Sequence, residues 1–219
     1  MNHPIKNILA LPKGMLLFLG IYAVSFPAIW LEAHLTGQSL LVKWLSLSPA
    51  MVWKGQVWRV LTYALMDGGI LGWAVFLFWL ATLTSILARD WSSKGYWAFC
   101  LFAAFAGALP FILFEPQADA PVLGVTAVVF ALLVAWGRNY RRERILMLGL
   151  GEVSVRQATI IIGVINALIT FFSCGGWLVT LSMLSGGVAG WAYLAIGQRR
   201  VMSRGSRVAE SERIARLEL

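Results

Sequence analysis

An all-α, polytopic membrane fold is predicted by three features of this sequence. Its 219 residues are 59% hydrophobic and only 13% charged, with a mean hydropathy of +0.76, whereas soluble domains are about half apolar and about a quarter charged. Six apolar runs recur along the chain, most of them near the ~20 residues that cross a bilayer core. Between the first and second lies a segment too apolar for a solvated loop and too broken to span. The expectation is six transmembrane helices with a partly membrane-embedded first outer loop.

Each element follows in order. Met15–Leu31 is read as the first span. Lys6 and Lys13 precede it as they would in a signal peptide, but no small-x-small cleavage site follows and five more spans come after. From Glu32 to Thr62, Trp44, Trp53 and Trp58 alternate with Leu40, Leu41, Leu45, Leu47 and Met51, interrupted by Lys43, Lys54 and Ser/Pro breaks. This pattern suits short amphipathic helices lying at the interface, where Trp and Lys are favoured. The second and third spans are Ile70–Leu87 and Gly95–Phe114, the latter containing Pro110, expected to kink it. A polar outer loop runs from Glu115 to Pro121, and an Arg-rich inner loop from Arg138 to Arg144. Val122–Gly137 and Ala158–Phe172, the fourth and fifth runs, are short for a bilayer, and Trp177–Ile196 is the sixth. The domain is expected to cover residues 1–197, with an outer loop at about 33–62 and an Arg-rich tail at 198–219, read as either a charged helix or disordered chain.

The basic residues cluster on one side. With the N-terminus inside, Arg89, Lys94, Arg138, Arg141, Arg142, Arg144 and the arginines from Arg199 onward are cytoplasmic, while Lys43, Lys54 and Arg59 lie outside. This places both termini in the cytoplasm. The formal net charge of +8 therefore reflects lipid-facing asymmetry, with an Arg-rich tail suited to anionic lipid, and no nucleic-acid partner is expected. Cys100 lies within the third span and Cys174 in a short outer turn, neither with an evident partner. With His3 and His34 the only histidines, no metal is expected, and no cofactor.

Three segments carry a family resemblance. Gly55-Gln56-Val57-Trp58-Arg59-Val60-Leu61-Thr62-Tyr63-Ala64-Leu65-Met66-Asp67-Gly68-Gly69 resembles a G-Q-x-W-R-x-x-T-x-x-x-x-H-G-G signature, and Gly124-Val125-Thr126-Ala127 resembles G-x-S-G. Met183-Leu184-Ser185-Gly186-Gly187-Val188-Ala189-Gly190 lies over an H-x-G-G-x-x-x-G pattern. In this order and spacing they resemble the rhomboid intramembrane serine proteases over roughly residues 10–197. The resemblance implies a six-helix core in which a serine on a short fourth helix attacks the peptide bond and a histidine on the sixth accepts its proton. It also implies Trp58, Arg59, Gly68, Gly69, Gly124, Gly186, Gly187 and Gly190 as structural motif residues, and a substrate entrance beside the fifth helix.

The reactive positions have changed. The serine position is Thr126, whose extra methyl restricts its rotamer. The histidine position is Met183, whose thioether accepts no proton near neutral pH. The oxyanion donors of H-x-x-x-N fall on Gly72 and Phe76, and the glycine after the nucleophile is Ala127. Asp67 is the nearest substitute base. It is expected to be exposed, and to serve better as a cap accepting from Gly69 or Ile70 at the head of the second helix. Loss of a single oxyanion donor costs about 2.7–4 kcal/mol, so no catalytic residues are expected.

Small residues at Gly186, Gly187 and Gly190, facing Gly124, Ala127 and Ala131, suit close helix packing. Asn166 and Thr170 share one face of the fifth helix and are candidates for a client groove, although bonding to a neighbouring helix is the plainer role. The leading expectation is a rhomboid-like pseudoprotease that binds transmembrane helices of client proteins without cutting them. Its partners would be those helices and the bilayer, read as the bacterial inner membrane. The alternatives are an active intramembrane endopeptidase with a non-standard centre at Thr126 with Ser182 or Ser185, and a non-catalytic scaffold or transporter, against whose ion-coupled form the lack of intramembrane charge argues.

Overall fold

The computed structural model describes residues 11–147, 151–173 and 176–217, the stretch from 198 by its backbone alone. Helix α1, Lys13–Thr36, ends at Gly37 in the left-handed conformation, a residue type free to adopt it. Three short helices follow: α2 (Leu40–Leu45), α3 (Pro49–Trp53, with proline in the first turn) and α4 (Arg59–Thr62), the last running into a 3₁₀ turn at Tyr63–Leu65. The expected interfacial segment thus folds into short helices, and its Trp44, Trp53 and Trp58 are exposed. Helix α5 occupies Ile70–Leu87, as expected, and α6 Ser93–Phe114. Ser92 caps α6 by accepting from the Gly95 N–H at 3.2 Å.

The fourth apolar run departs from expectation. Pro121 and the Gly124 backbone, with φ at 142°, hold the chain extended, and Val122 pairs with Leu47 through N–H···O bonds of 2.8 and 3.0 Å. The helix α7 therefore begins only at Thr126 and ends at Asn139. At 1.5 Å per residue its 14 residues reach about 21 Å, short of a bilayer core of about 30 Å. Among the described residues, five helices, not six, are long and apolar enough to cross a membrane. Nine residues of α7 are buried nonetheless, because α5, α6, α8 and α9 surround it.

The fold is not wholly helical. After α7, strands β1 (Arg144–Met147) and β2 (Gly151–Ser154) form an antiparallel hairpin, with Arg144 opposite Ser154 and Met147 opposite Gly151. Helix α8 runs Val155–Ser173 and α9 Gly176–Leu217, continuing without interruption past residue 197. Gly20, Gly37, Gly176 and Gly197 have open space around them; Gly186, Gly187 and Gly190 of α9 do not. A Cβ on Gly186 would lie 2.5 Å from the Ala127 carbonyl oxygen, and one on Gly190 would lie 3.0 Å from the Ala131 Cβ. Glycine there lets α9 approach α7 at backbone distance, the small-residue mode of helix packing in membranes.

Proline leaves a mark on α6. Pro110 has no N–H, so the Ala106 carbonyl one turn earlier loses its helical donor. The helix continues through this position, and the Ser185 hydroxyl of α9 lies 2.9 Å from the Ala106 carbonyl, sharing its proton with the Ser182 carbonyl of its own helix at 2.8 Å. A neighbouring helix has supplied what the proline withheld, as a medium without water requires.

Candidate functional site

The first two turns of α7, the middle of α5, the middle of α8 and Met183 of α9 meet around one small cavity. Thr126, Phe76, Asn166, Thr170 and Met183 all line it. Four separate stretches of sequence singled out by the reading above therefore converge in space. The cavity holds about 30 Å³, room for a water molecule and not for a peptide. Helices α5 and α8 both pack on α7 but scarcely on each other, which leaves a lateral opening between them. Their outward faces are apolar and exposed, including Leu71 and Phe78 on α5 and Leu168 and Phe172 on α8.

Its chemistry is sparse. Thr126 is half-buried and its hydroxyl has no hydrogen-bond partner among the described residues. Met183 is 3% exposed. Asn166 donates to the Ile162 carbonyl of its own helix at 2.8 Å, not to a neighbouring helix. The lining residues are two threonines, an asparagine, a methionine, and aromatic and aliphatic side chains; none of those described is a carboxylate, imidazole or amine. Such a set can hold a polar group by hydrogen bonds but offers no proton acceptor of useful basicity.

Other candidates lie elsewhere and are engaged. Gly72 sits a turn above the cavity, where a Cβ would be 3.2 Å from Oδ1 of Asp67. Ser185 is shared between the Ala106 and Ser182 carbonyls, and Ser182, 2% exposed, is hydrogen-bonded with the Tyr63 hydroxyl, which also donates to the Ala104 carbonyl at 2.9 Å. Neither serine lines the cavity. His34 stacks on Trp30 at the end of α1, far along the chain from α7. His3 and Cys174 lie outside the described residues; Cys100 is buried and free.

Asp67 corrects an expectation. It is 9% exposed, not solvated, because Tyr22 of α1 donates to Oδ2 at 3.2 Å and the Gly69 N–H to Oδ1 at 3.2 Å. Gly69 is the residue preceding α5, so the carboxylate braces the helix entry and links it to α1. Trp73 strengthens that link by donating to the Tyr22 carbonyl at 3.1 Å. Burial raises the Asp67 pKa; the hydrogen bonds from Gly69, Tyr22 and Gly68 oppose the rise. Gly68 packs under Leu123, where a Cβ would meet it at 3.6 Å.

The Trp-Arg pair organises the embedded loop. Arg59, 5% exposed, donates to the carbonyls of Lys43 at 2.6 Å and Ser46 at 2.8 Å and to the Gln56 side chain at 2.6 Å. The last turn of α2 is thereby satisfied by a side chain sixteen residues on. Trp58 donates to the Trp44 carbonyl at 3.1 Å, and Thr62 to Leu45 at 2.7 Å.

Sequence reasoning passed over Tyr22 and Tyr63, both buried and both bonded across elements. Their one signal is a lone polar aromatic inside an apolar run, which needs a partner for its hydroxyl. None of the curated proteins matches the chain. A family model described as eukaryotic integral membrane protein (DUF1751) matches residues 15–213, and this multi-pass chain, with five membrane-length helices among its described residues, belongs to that family.

Proposed function

We propose that this protein is a rhomboid-like, non-cleaving membrane protein that holds the transmembrane helices of client proteins at the opening between α5 and α8. The carrying observation is the composition of the cavity behind that opening, which Thr126 and Met183 both line and where no described lining group accepts a proton. The family is itself grouped with rhomboid-like proteins. Its eukaryotic description does not fit a bacterial inner membrane. A short, enclosed α7 between longer helices supports this reading over a transporter, as does the apolar exterior of the opening.

A photo-crosslinking residue at Phe76 or Asn166 tests it. Expressed in cells, either variant is expected to capture single-span membrane proteins that the same residue at Val24, on the far face of α1, does not. Equal capture at all three positions refutes client binding at the opening. The alternative of a Thr126-centred endopeptidase predicts cleavage of a helical reporter that Thr126→Ala abolishes. The expected result is equal background turnover in parent and variant.

A further inference from the structure

A second, larger cavity of about 420 Å³ lies in the embedded loop, between α2, the start of α3 and the turn at residues 115–121. Its walls are fastened together. Leu47 and Val122 exchange backbone hydrogen bonds, the Ala50 N–H donates to the Ala118 carbonyl at 3.2 Å, and Ser48 donates to Asp119 at 3.0 Å. The cavity is therefore preformed. Arg59 lines it; exposed Lys43 and Asp119 stand on it from different walls, and Trp44 adds an aromatic face. Arg59 uses three of its five N–H groups on Gln56, Ser46 and Lys43, which leaves one on each terminal nitrogen. Asp119 influences Arg59 electrostatically, yet among the described residues no ion pair within 4.0 Å joins Asp119 to Arg59 or Lys43. Opposite charges thus face one cavity without closing on each other.

We propose that this cavity takes a zwitterionic phosphodiester headgroup, with its phosphate toward Arg59 and Lys43 and its ammonium toward Asp119 and the Trp44 ring. Arginine and lysine supply charge-assisted donors to phosphate, and a quaternary or primary ammonium is held by a carboxylate and an indole face. A purely anionic headgroup would set its charge against Asp119. The exposed Trp44, Trp53 and Trp58 beside the cavity suit the headgroup layer, where a phospholipid would present these two charges. The site is separate from the α5–α8 opening and holds whether or not that opening takes a client.

The test uses the full chain, delipidated in dodecyl maltoside, which carries no phosphate, and titrated with phosphatidylcholine, phosphatidylethanolamine or phosphatidylglycerol. Native mass spectrometry then counts retained lipid. The parent is expected to keep one zwitterionic lipid in preference to phosphatidylglycerol. Asp119→Asn leaves an oxygen for Ser48 and is expected to lower zwitterionic retention about threefold without lowering that of phosphatidylglycerol; Lys43→Gln, at an exposed position, lowers both about threefold. Free phosphocholine that binds with the same Asp119 dependence supports the pocket with a water-soluble occupant. Equal retention of all three lipids by the parent, or an Asp119→Asn chain indistinguishable from it, overturns the proposal.

Discussion

Gly186→Ala probes the seam on which the enclosed helix depends. The added Cβ would lie 2.5 Å from the Ala127 carbonyl oxygen and 2.8 Å from the Ala127 Cβ. A carbon–oxygen contact ordinarily sits at about 3.3 Å or more, so α9 must retreat from α7 by roughly 0.8 Å. Because the obstacle is backbone, no rotamer change relieves it, and overpacking of this kind costs about 1–3 kcal/mol. Gly20→Ala, on α1 with nothing within 4 Å, is the control; helix propensity alone would make it up to about 1 kcal/mol stabilising. A double-mutant cycle sharpens the test. Ala127 is gripped from both sides, by Gly186 of α9 and by Gly107 of α6, whose added Cβ would overlap the Ala127 Cβ and lie 2.7 Å from the Tyr63 hydroxyl. Ala127→Gly should therefore rescue part of the Gly107→Ala loss, a coupling of about 1 kcal/mol, and less of the Gly186→Ala loss, where the carbonyl remains. Unfolding in mixed SDS and maltoside micelles, followed by the fluorescence of the 11 tryptophans, measures each step. If Gly186→Ala melts with Gly20→Ala, α7 and α9 are not in backbone contact and the reasoning is wrong.

Three further outcomes follow from the same geometry. Arg59→Met removes the donor to two loop carbonyls and should cost about 2–3 kcal/mol, read as faster tryptic cutting at Lys43 and Lys54. Tyr63→Phe loses the bonds to Ala104 and Ser182 and should cost about 1–2 kcal/mol in the same unfolding assay, whereas Thr126→Ala should stay near the parent. For Asp67 the folded pKa is raised, so the folded chain binds the proton more tightly than the unfolded one. Stability should fall as pH rises from the usual carboxylate value through the raised one, then level off. Asp67→Asn should flatten that slope in thermal melts, and an unchanged slope would remove Asp67 as its source.

Apolar runs located every long helix, because desolvation of about 20 residues is a signal read directly from composition. Ile70–Leu87 coincides with α5 because glycines precede it and charge follows it. Errors arose where local chemistry outranked hydropathy. Counting apolar residues started the fifth span at Ala158, whereas α8 begins at Val155: Ser154 and Gln157 form a capping box, their side chains each accepting from the other's backbone N–H at 3.3 and 3.1 Å. The fourth run hid an extended entry, since Val122 and Leu123 are apolar in any conformation while Gly124 alone betrays the turn. The hairpin was obscured because Arg144 and Glu152 mark an aqueous segment whether or not it forms strands. At the site, motif spacing pointed to Thr126, Met183, Phe76, Asn166 and Thr170 separately. Their meeting in one water-sized cavity depends on the crossing of four helices, as does the burial of Asp67 beneath Tyr22.

The bond from Ser185 to Ala106 sets the height of one helix against another. Apolar side chains slide past each other in hydrocarbon with little preference for level, since lipid solvates every position alike. A spare carbonyl exposed by proline exists at a single depth along α6, and a hydroxyl that reaches it fixes both the rise and the rotation of α9. Removing the proline would not loosen α6 so much as erase the notch that tells α9 where to stop.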